Sequence, residues 1–249
     1  MSAALPDRTA RAVARARRRL AKRVRRRAKA LRATEKRVRH GAKAARRAVR
    51  RTRAAAARTW QARYRATYRR SASHVPVRAE LPHLLNARGL VGRGAEIGVM
   101  KGNYSATLLR EWHGRELLSV DPWLEVPENE DHARAVLGRF GARSRILAMT
   151  SEQAAAQVPD GDLDFAYIDA LHDDASVRAD LAAWFPKLRP GGILAGHDYP
   201  EPGVRAAVDA FAAAHGLTVH ATGPEPAKGR GAGVRRKNPS WIVEVPPRR

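Results

Sequence analysis

Beyond residue 90, apolar positions along the chain fall into two alternating rhythms. Ala95, Ile97 and Val99 alternate with smaller or polar neighbours, the period of a strand. They run into two spaced glycines, Gly98 and Gly102, and then into a helix predicted over 105–112. The pattern repeats with a strand over 115–120, a helix over 128–140 and a third strand over 143–148. Residues 162–169 form an apolar run bounded by acids, and 175–188 place Val177, Leu181, Trp184, Phe185 and Leu188 at helical spacing. Residues 189–192, Arg-Pro-Gly-Gly, are expected to turn before a fifth strand begins at 193–196. A helix over 202–215 stops at Gly216, and strands over 217–220 and 241–245 close the pattern. Between those last two strands, 223–239 are rich in Gly, Pro and Lys/Arg, the composition of a loop. Strand and helix alternate throughout, which predicts an α/β layered body with a mostly parallel sheet.

Ahead of this body the rhythm changes. Residues 7–70 are almost all Ala, Arg, Lys and a few aliphatics, with one glycine and no proline, and predict one or two long helices. Val13, Leu20, Val24, Leu31, Val38, Ala45 and Val49 follow steps of seven and four, a thin seam among crowded like charges. Trp60, Tyr64 and Tyr68 share one helical face and are expected to dock the end of this arm. Composition shifts at Ser71 to Pro76, dividing the chain into an arm, 1–73, and a body, 74–249, whose first helix is expected within 77–90 and ends near Gly89.

Charge sharpens that division. The arm carries 27 Lys+Arg against 2 Asp+Glu, whereas the body carries 21 against 22, so the net +24 belongs to the arm. Such a run reads either as a solvated face or as a footprint for nucleic acid or an acidic membrane surface. There are no cysteines, which excludes disulfides and thiolate chemistry. No apolar run approaches the ~20 residues a membrane span needs, and no secretory pattern follows the first arginines, so a cytoplasmic location is expected.

Candidate chemistry gathers at the predicted strand ends. In an open parallel sheet the ligand lies beyond the carboxyl ends of the strands. Glu96 lies at the first, Asp121 after the second, Asp169 after the fourth, and His197 and Asp198 after the fifth. Asp121 follows Glu96 by 25 residues, close to the spacing that sets an acid against ribose hydroxyls in nucleotide-binding units. Asp169, His172, His197 and Asp198 form a second group: carboxylate oxygens suit Mg²⁺, Mn²⁺ or Ca²⁺, and imidazole admits a softer ion. His172 is placed either to take a proton from a substrate hydroxyl or to cap the helix that follows.

The run from about 81 to 245 resembles class I S-adenosylmethionine-dependent methyltransferases, most closely the macrocin- and mycinamicin-type sugar O-methyltransferase branch. The motifs are Ala95-Glu96-Ile97-Gly98-Val99 with Gly102, Ser119-Val120-Asp121-Pro122-Trp123, and 163–169 with His172. Arg178-Ala179-Asp180-Leu181, 188–199 and Pro202-Gly203-Val204 complete them. The resemblance implies a Rossmann-like seven-stranded sheet whose last strand is antiparallel. It also implies that Glu96, Gly98 and Gly102 line the methionine end of the cofactor and that Asp121 holds its ribose. Ser151 and Glu152 are implied on the adenine side. Asp169, His197 and Asp198 correspond to the metal ligands of metal-dependent members, and His172 to their base. Position 197 departs from that pattern, being His where those members carry an acid, which shifts the expectation from Mg²⁺ toward Mn²⁺ or no metal.

The expected function is therefore methyl transfer to a hydroxyl of a small-molecule acceptor, sugar or natural product, with or without a divalent cation. Two rivals stand beside it: a nucleic-acid-associated modifying enzyme delivered by the arm, and a non-catalytic interaction protein whose long helix drives homo-oligomers.

Overall fold

The computed structural model of the protein describes residues 75–224 and 238–247, together with Lys22 and Ala72. The helical arm over 7–70, the aromatic face at Trp60, Tyr64 and Tyr68, and most of the loop over 223–239 lie outside the described residues. A 3-10 turn at Arg78–Glu80 leads into α1 (Leu81–Arg88), which ends on Gly89 in the left-handed conformation. Then follow β1 (Arg93–Ile97), α2 (Asn103–Glu111), β2 (Glu116–Val120), α3 (Glu128–Leu137) and β3 (Ser144–Leu147). The second half comprises α4 (Ser151–Ala155), β4 (Leu163–Ile168), α5 (Asp174–Trp184), β5 (Leu188–Gly196), α6 (Pro202–Ala214), β6 (Val219–Ala221) and β7 (Trp241–Glu244).

The strands form one sheet in the order β3-β2-β1-β4-β5-β7-β6, and β7 alone runs against its neighbours. This is the Rossmann-like, mostly parallel arrangement expected. Alternation along each strand sorts side chains onto two faces. Leu117, Phe165, Tyr167, Ile193 and Ile242 pack under α1, α2 and α3. Leu118, Ala166, Ile168, Leu194 and Trp241 pack against α4, α5 and α6. Large side chains dominate both layers. Trp112, T-shaped against Phe165 at 4.9 Å, donates its indole N–H to the Leu90 carbonyl, and Trp184 is equally buried on the other face. Each contributes roughly 1.5–3 kcal/mol or more by burial.

One element differs from expectation. Residues 189–192 do not precede the fifth strand; they lie inside β5 as a bulge. Leu188 pairs with Leu163 and Ile193 with Phe165, so β5 places residues 189–192 between these pairs where β4 places Asp164 alone. Gly191, at φ +77°, takes the conformation the bulge requires. Pro and Gly signal a break in either case, and local sequence does not distinguish a loop from a bulge that rejoins its ladder.

The register places the functional edge. Leu147, Val120, Ile97, Ile168 and Gly196 are successive partners across five parallel strands. The residue that leaves each strand therefore emerges on the same rim: Gly98, Asp121, Ala148, Asp169 and His197. Among the described residues no helix is long and apolar enough to cross a membrane.

Candidate active site

The rim is built from two knots. The first is tied by Asp121. Its Oδ2 accepts the backbone N–H groups of Val99 and Met100 at 2.9 and 2.8 Å, and its Oδ1 accepts that of Trp123 at 2.8 Å. The Trp123 indole N–H then reaches the Met100 carbonyl at 2.7 Å. Met100 and Trp123 both hold positive φ, as does Asp198; among the described residues these are the only non-glycines that do, and all three lie on the rim. Strain of this kind persists where surrounding bonds over-determine the backbone, and it gathers at functional loops. A carboxylate offers about four acceptor sites, so Asp121 keeps about one for a ligand hydroxyl while holding the loop.

Gly98 sits where two strand ends meet. At φ +86°, its missing Cβ would lie 2.1 Å from the Asp169 carbonyl oxygen. The glycine lets the β1 and β4 ends close on each other at the point where the chain, having gone outward to β2 and β3, returns to β4. Gly102 caps α2, also with positive φ. Glu96 is 1% exposed beneath α2. Its carboxyl accepts from the Ser105 hydroxyl, which in turn accepts from Ser119 at 3.2 Å. Burial pushes its pKa up to about 8, against the lowering effect of Ser105.

On the adenine side of the expected site, Thr150 and Gln153 form a reciprocal capping box that starts α4. The Ser151 hydroxyl is committed to the Asp180 carboxylate and to the Trp184 indole N–H at 2.9 Å, while Glu152 is exposed.

The second knot joins β4 and β5. Asp169, His172 and Asp198 each bring one ligating atom within 4.8 Å of the others. His172 Nε2 lies 3.1 Å from Asp198 Oδ2 and 4.0 Å from Asp169 Oδ1. His197 Nδ1 lies 2.9 Å from the same Asp198 oxygen and 3.6 Å from Asp169 Oδ1. The remaining carboxylate oxygens are clamped from outside: Arg78 reaches Asp169 Oδ2 at 3.1 Å, and the Asn238 amide donates to Asp198 Oδ1 at 2.9 Å. Each acid thus turns one oxygen, Asp169 Oδ1 and Asp198 Oδ2, toward the two imidazoles.

Their environments separate the two acids. Burial raises the pKa of Asp169, against the opposing charges of His197 and Arg78. Burial acts the same way on Asp198, yet hydrogen bonds from His197 and Asn238 and the charges of both histidines bring it below the ordinary value. The helix that follows is capped by Asp173, which accepts from the Ser176 N–H at 3.0 Å, so His172 is not used as its cap. With Nε2 turned to Asp198, His172 Nδ1 is the nitrogen able to accept a proton.

The donor set suits a cation. One imidazole and two carboxylate oxygens within that span match a single divalent ion with bonds of ~2.0–2.6 Å, and the mixed N/O set favours Mn²⁺-like ions over Mg²⁺. His197 contacts both carboxylates and stands beside this trio; its Nε2 is buried without a hydrogen-bond partner. Arg78 and Asn238 escaped the sequence reading. Arg78 precedes β1, 91 residues from its partner, and Asn238 follows a Gly-rich loop; neither carries a motif or a periodicity.

Comparison with known proteins gives the class of fold. The family described as "Methyltransferase domain" matches residues 95–199, from β1 through both knots to Tyr199. An O-methyltransferase from Bacillus cereus, crystallised in complex with SAH, superposes with TM-score 0.51 at 20% identity, covering 75% of this chain and 89% of that one. Cofactor-bound Rv0187 from Mycobacterium tuberculosis gives 0.53 at 16%, covering 76% and 90%. A precorrin-8w decarboxylase from Methanobacterium thermoautotrophicum gives 0.51 at 18%, covering 67% and 89%. The body therefore has a methyltransferase-type Rossmann-like fold. A methyltransferase and a protein titled as a decarboxylase fit it equally well, so the fold alone does not fix the reaction. An uncharacterized Sinorhizobium fredii protein, y4gI, is 26% identical over 136 residues, 50% of this chain. The chain spans 14% of that relative's length.

Proposed function

We propose that the chain is an S-adenosylmethionine-dependent methyltransferase acting on a hydroxyl of a small-molecule acceptor, of sugar or natural-product type. The observation that carries this reading is the single rim. Asp121, Asp169 and Asp198 follow the ends of β2, β4 and β5, which share one register through β1, inside the stretch that matches a methyltransferase domain. Asp121 is assigned to the cofactor ribose through its remaining acceptor site. The glycine turn, Ser151 and Glu152 flank the same shelf, with Glu96 buried beneath α2. Bound there, S-adenosylmethionine would supply an electrophilic sulfonium methyl, the C–S electron pair leaving with sulfur as the acceptor oxygen bonds to carbon. His172 Nδ1 takes the hydroxyl proton, and Asp198 holds the ring in the tautomer that permits this. Where a divalent cation sits on Asp169, His172 and Asp198 instead, His172 Nε2 would ligate it and Nδ1 would keep its hydrogen, so the cation rather than His172 would orient a diol and make its proton more acidic.

Calorimetry on the full chain tests the reading. S-adenosylmethionine and its demethylated product are expected to bind one per chain. Asp121→Ala is expected to weaken both by roughly ten- to a hundredfold, the loss of ~1–3 kcal/mol. Asp198→Ala should keep that binding and lose roughly 10²–10⁴ in turnover of a candidate diol. Absence of cofactor binding by the wild type would overturn the assignment; normal turnover by Asp198→Ala would overturn the role of the second knot.

A further inference from the structure

Asp169 and Asp198 are clamped by groups of unequal charge, and that inequality has a chemical consequence. Both clamps hold the outer oxygen and leave the inner one to the imidazoles. Asn238 is neutral, whereas Arg78 brings a full positive charge to the opposite oxygen of a carboxylate that a cation would need. Arg78 is also fixed in place. Its side chain is 8% exposed, its guanidinium lies 4.5 Å above the Tyr104 ring, and its backbone carbonyl accepts from the Tyr104 hydroxyl at 3.0 Å. Tyr104 in turn packs on Tyr167 at 4.6 Å. A guanidinium held this way cannot swing aside to make room for a second positive charge. It subtracts one negative charge from the cluster, leaving one where two carboxylates would otherwise face a divalent ion.

We propose that Arg78 sets the divalent-cation affinity of the Asp169–His172–Asp198 cluster and holds it low, so that this site binds Mn²⁺-like ions weakly and exchangeably. The chemistry is electrostatic: cation affinity follows the charge count of the ligand shell, and a fixed guanidinium on a ligand's second oxygen opposes the ion at short range in a partly dry site. The proposal rests on reading these three residues as one site, not on methyl transfer. Its readout is metal binding, so its failure and that of the methyltransferase assignment are distinguishable.

The experiment is Mn²⁺ titration of the full chain without cofactor, followed by calorimetry and by water-proton relaxation. Wild type is expected to bind no tighter than about millimolar, the weak end of oxygen-rich sites. Arg78→Met and Arg78→Gln should bind at least about tenfold tighter, because the opposing charge is gone. Arg78→Lys keeps the charge and should stay within about threefold of wild type. Asn238→Ala removes a clamp but no charge and should also stay within about threefold. Circular dichroism establishes that each variant is folded. Micromolar binding by wild type, which needs no variant, would overturn the proposal. So would folded Arg78→Met and Arg78→Gln proteins with unchanged affinity, or an Asn238→Ala gain equal to theirs.

Discussion

At the scale of single residues, the described structure spends polar groups on holding its own loops. Asp121 accepts three backbone N–H groups before any ligand arrives, and Glu96 is buried against Ser105. Glu96 has a consequence in pH. Its folded pKa is raised from an ordinary 4.5 to about 8, so its contribution to stability is present below 4.5 and is lost as pH rises toward 8. Unfolding free energy measured by urea titration is expected to fall across that window. The loss is on the order of a few kcal/mol, at about 1.4 kcal/mol per unit. Glu96→Gln should flatten the wild-type slope; an identical pH profile in the variant would show that Glu96 ionises freely. The candidate residues of the rim are legible in the sequence because ligands in this topology lie beyond the strand ends. Glu96, Asp121, Asp169, His172, His197 and Asp198 all lie at or next to one. Arg78 and Asn238 were not legible, since only folding brings a segment before β1 and a segment after a long loop onto the same two acids.

At the scale of elements, the two rhythms of the chain predict every strand of the body, and the predicted helices shift by only a few residues, whereas the five-residue α4 is too short to show a helical period and is not predicted. The bulge inside β5 was read as a turn, because Pro and Gly break a pattern without saying whether the ladder resumes. At the junction of β1 and β4, the space a Gly98 Cβ would need is filled by the Asp169 carbonyl, a close approach that no local sequence pattern announces. Gly98→Ala should therefore act on the junction of these two strands. Its φ of +86° and a Cβ 2.1 Å from an oxygen predict a loss of about 3 kcal/mol or more, read as a lower urea midpoint or as insoluble protein. An unchanged midpoint would mean that the two strand ends separate easily.

At the scale of the whole molecule, sequence divides the charge sharply between two parts. The body is nearly neutral, and the first 73 residues carry 27 Lys+Arg. The full chain is expected to bind nucleic acid without sequence preference, with affinity falling steeply and linearly in log–log salt. Replacing half of the arm's arginines by glutamine should reduce that slope while leaving cofactor affinity as it was. Salt-independent binding, or a slope unmoved by the substitutions, would remove the arm from this role.

The common row in which five strands end has one more implication. Each strand delivers its own short loop to the rim, and no loop carries the whole site, so the shelf behaves as a set of interchangeable parts on a fixed frame. A lineage, or an engineer, can lengthen the segment after β2 or remodel the residues after β5 to suit another ligand while the row keeps its register. Novelty in such a protein arrives by revising one connection at a time.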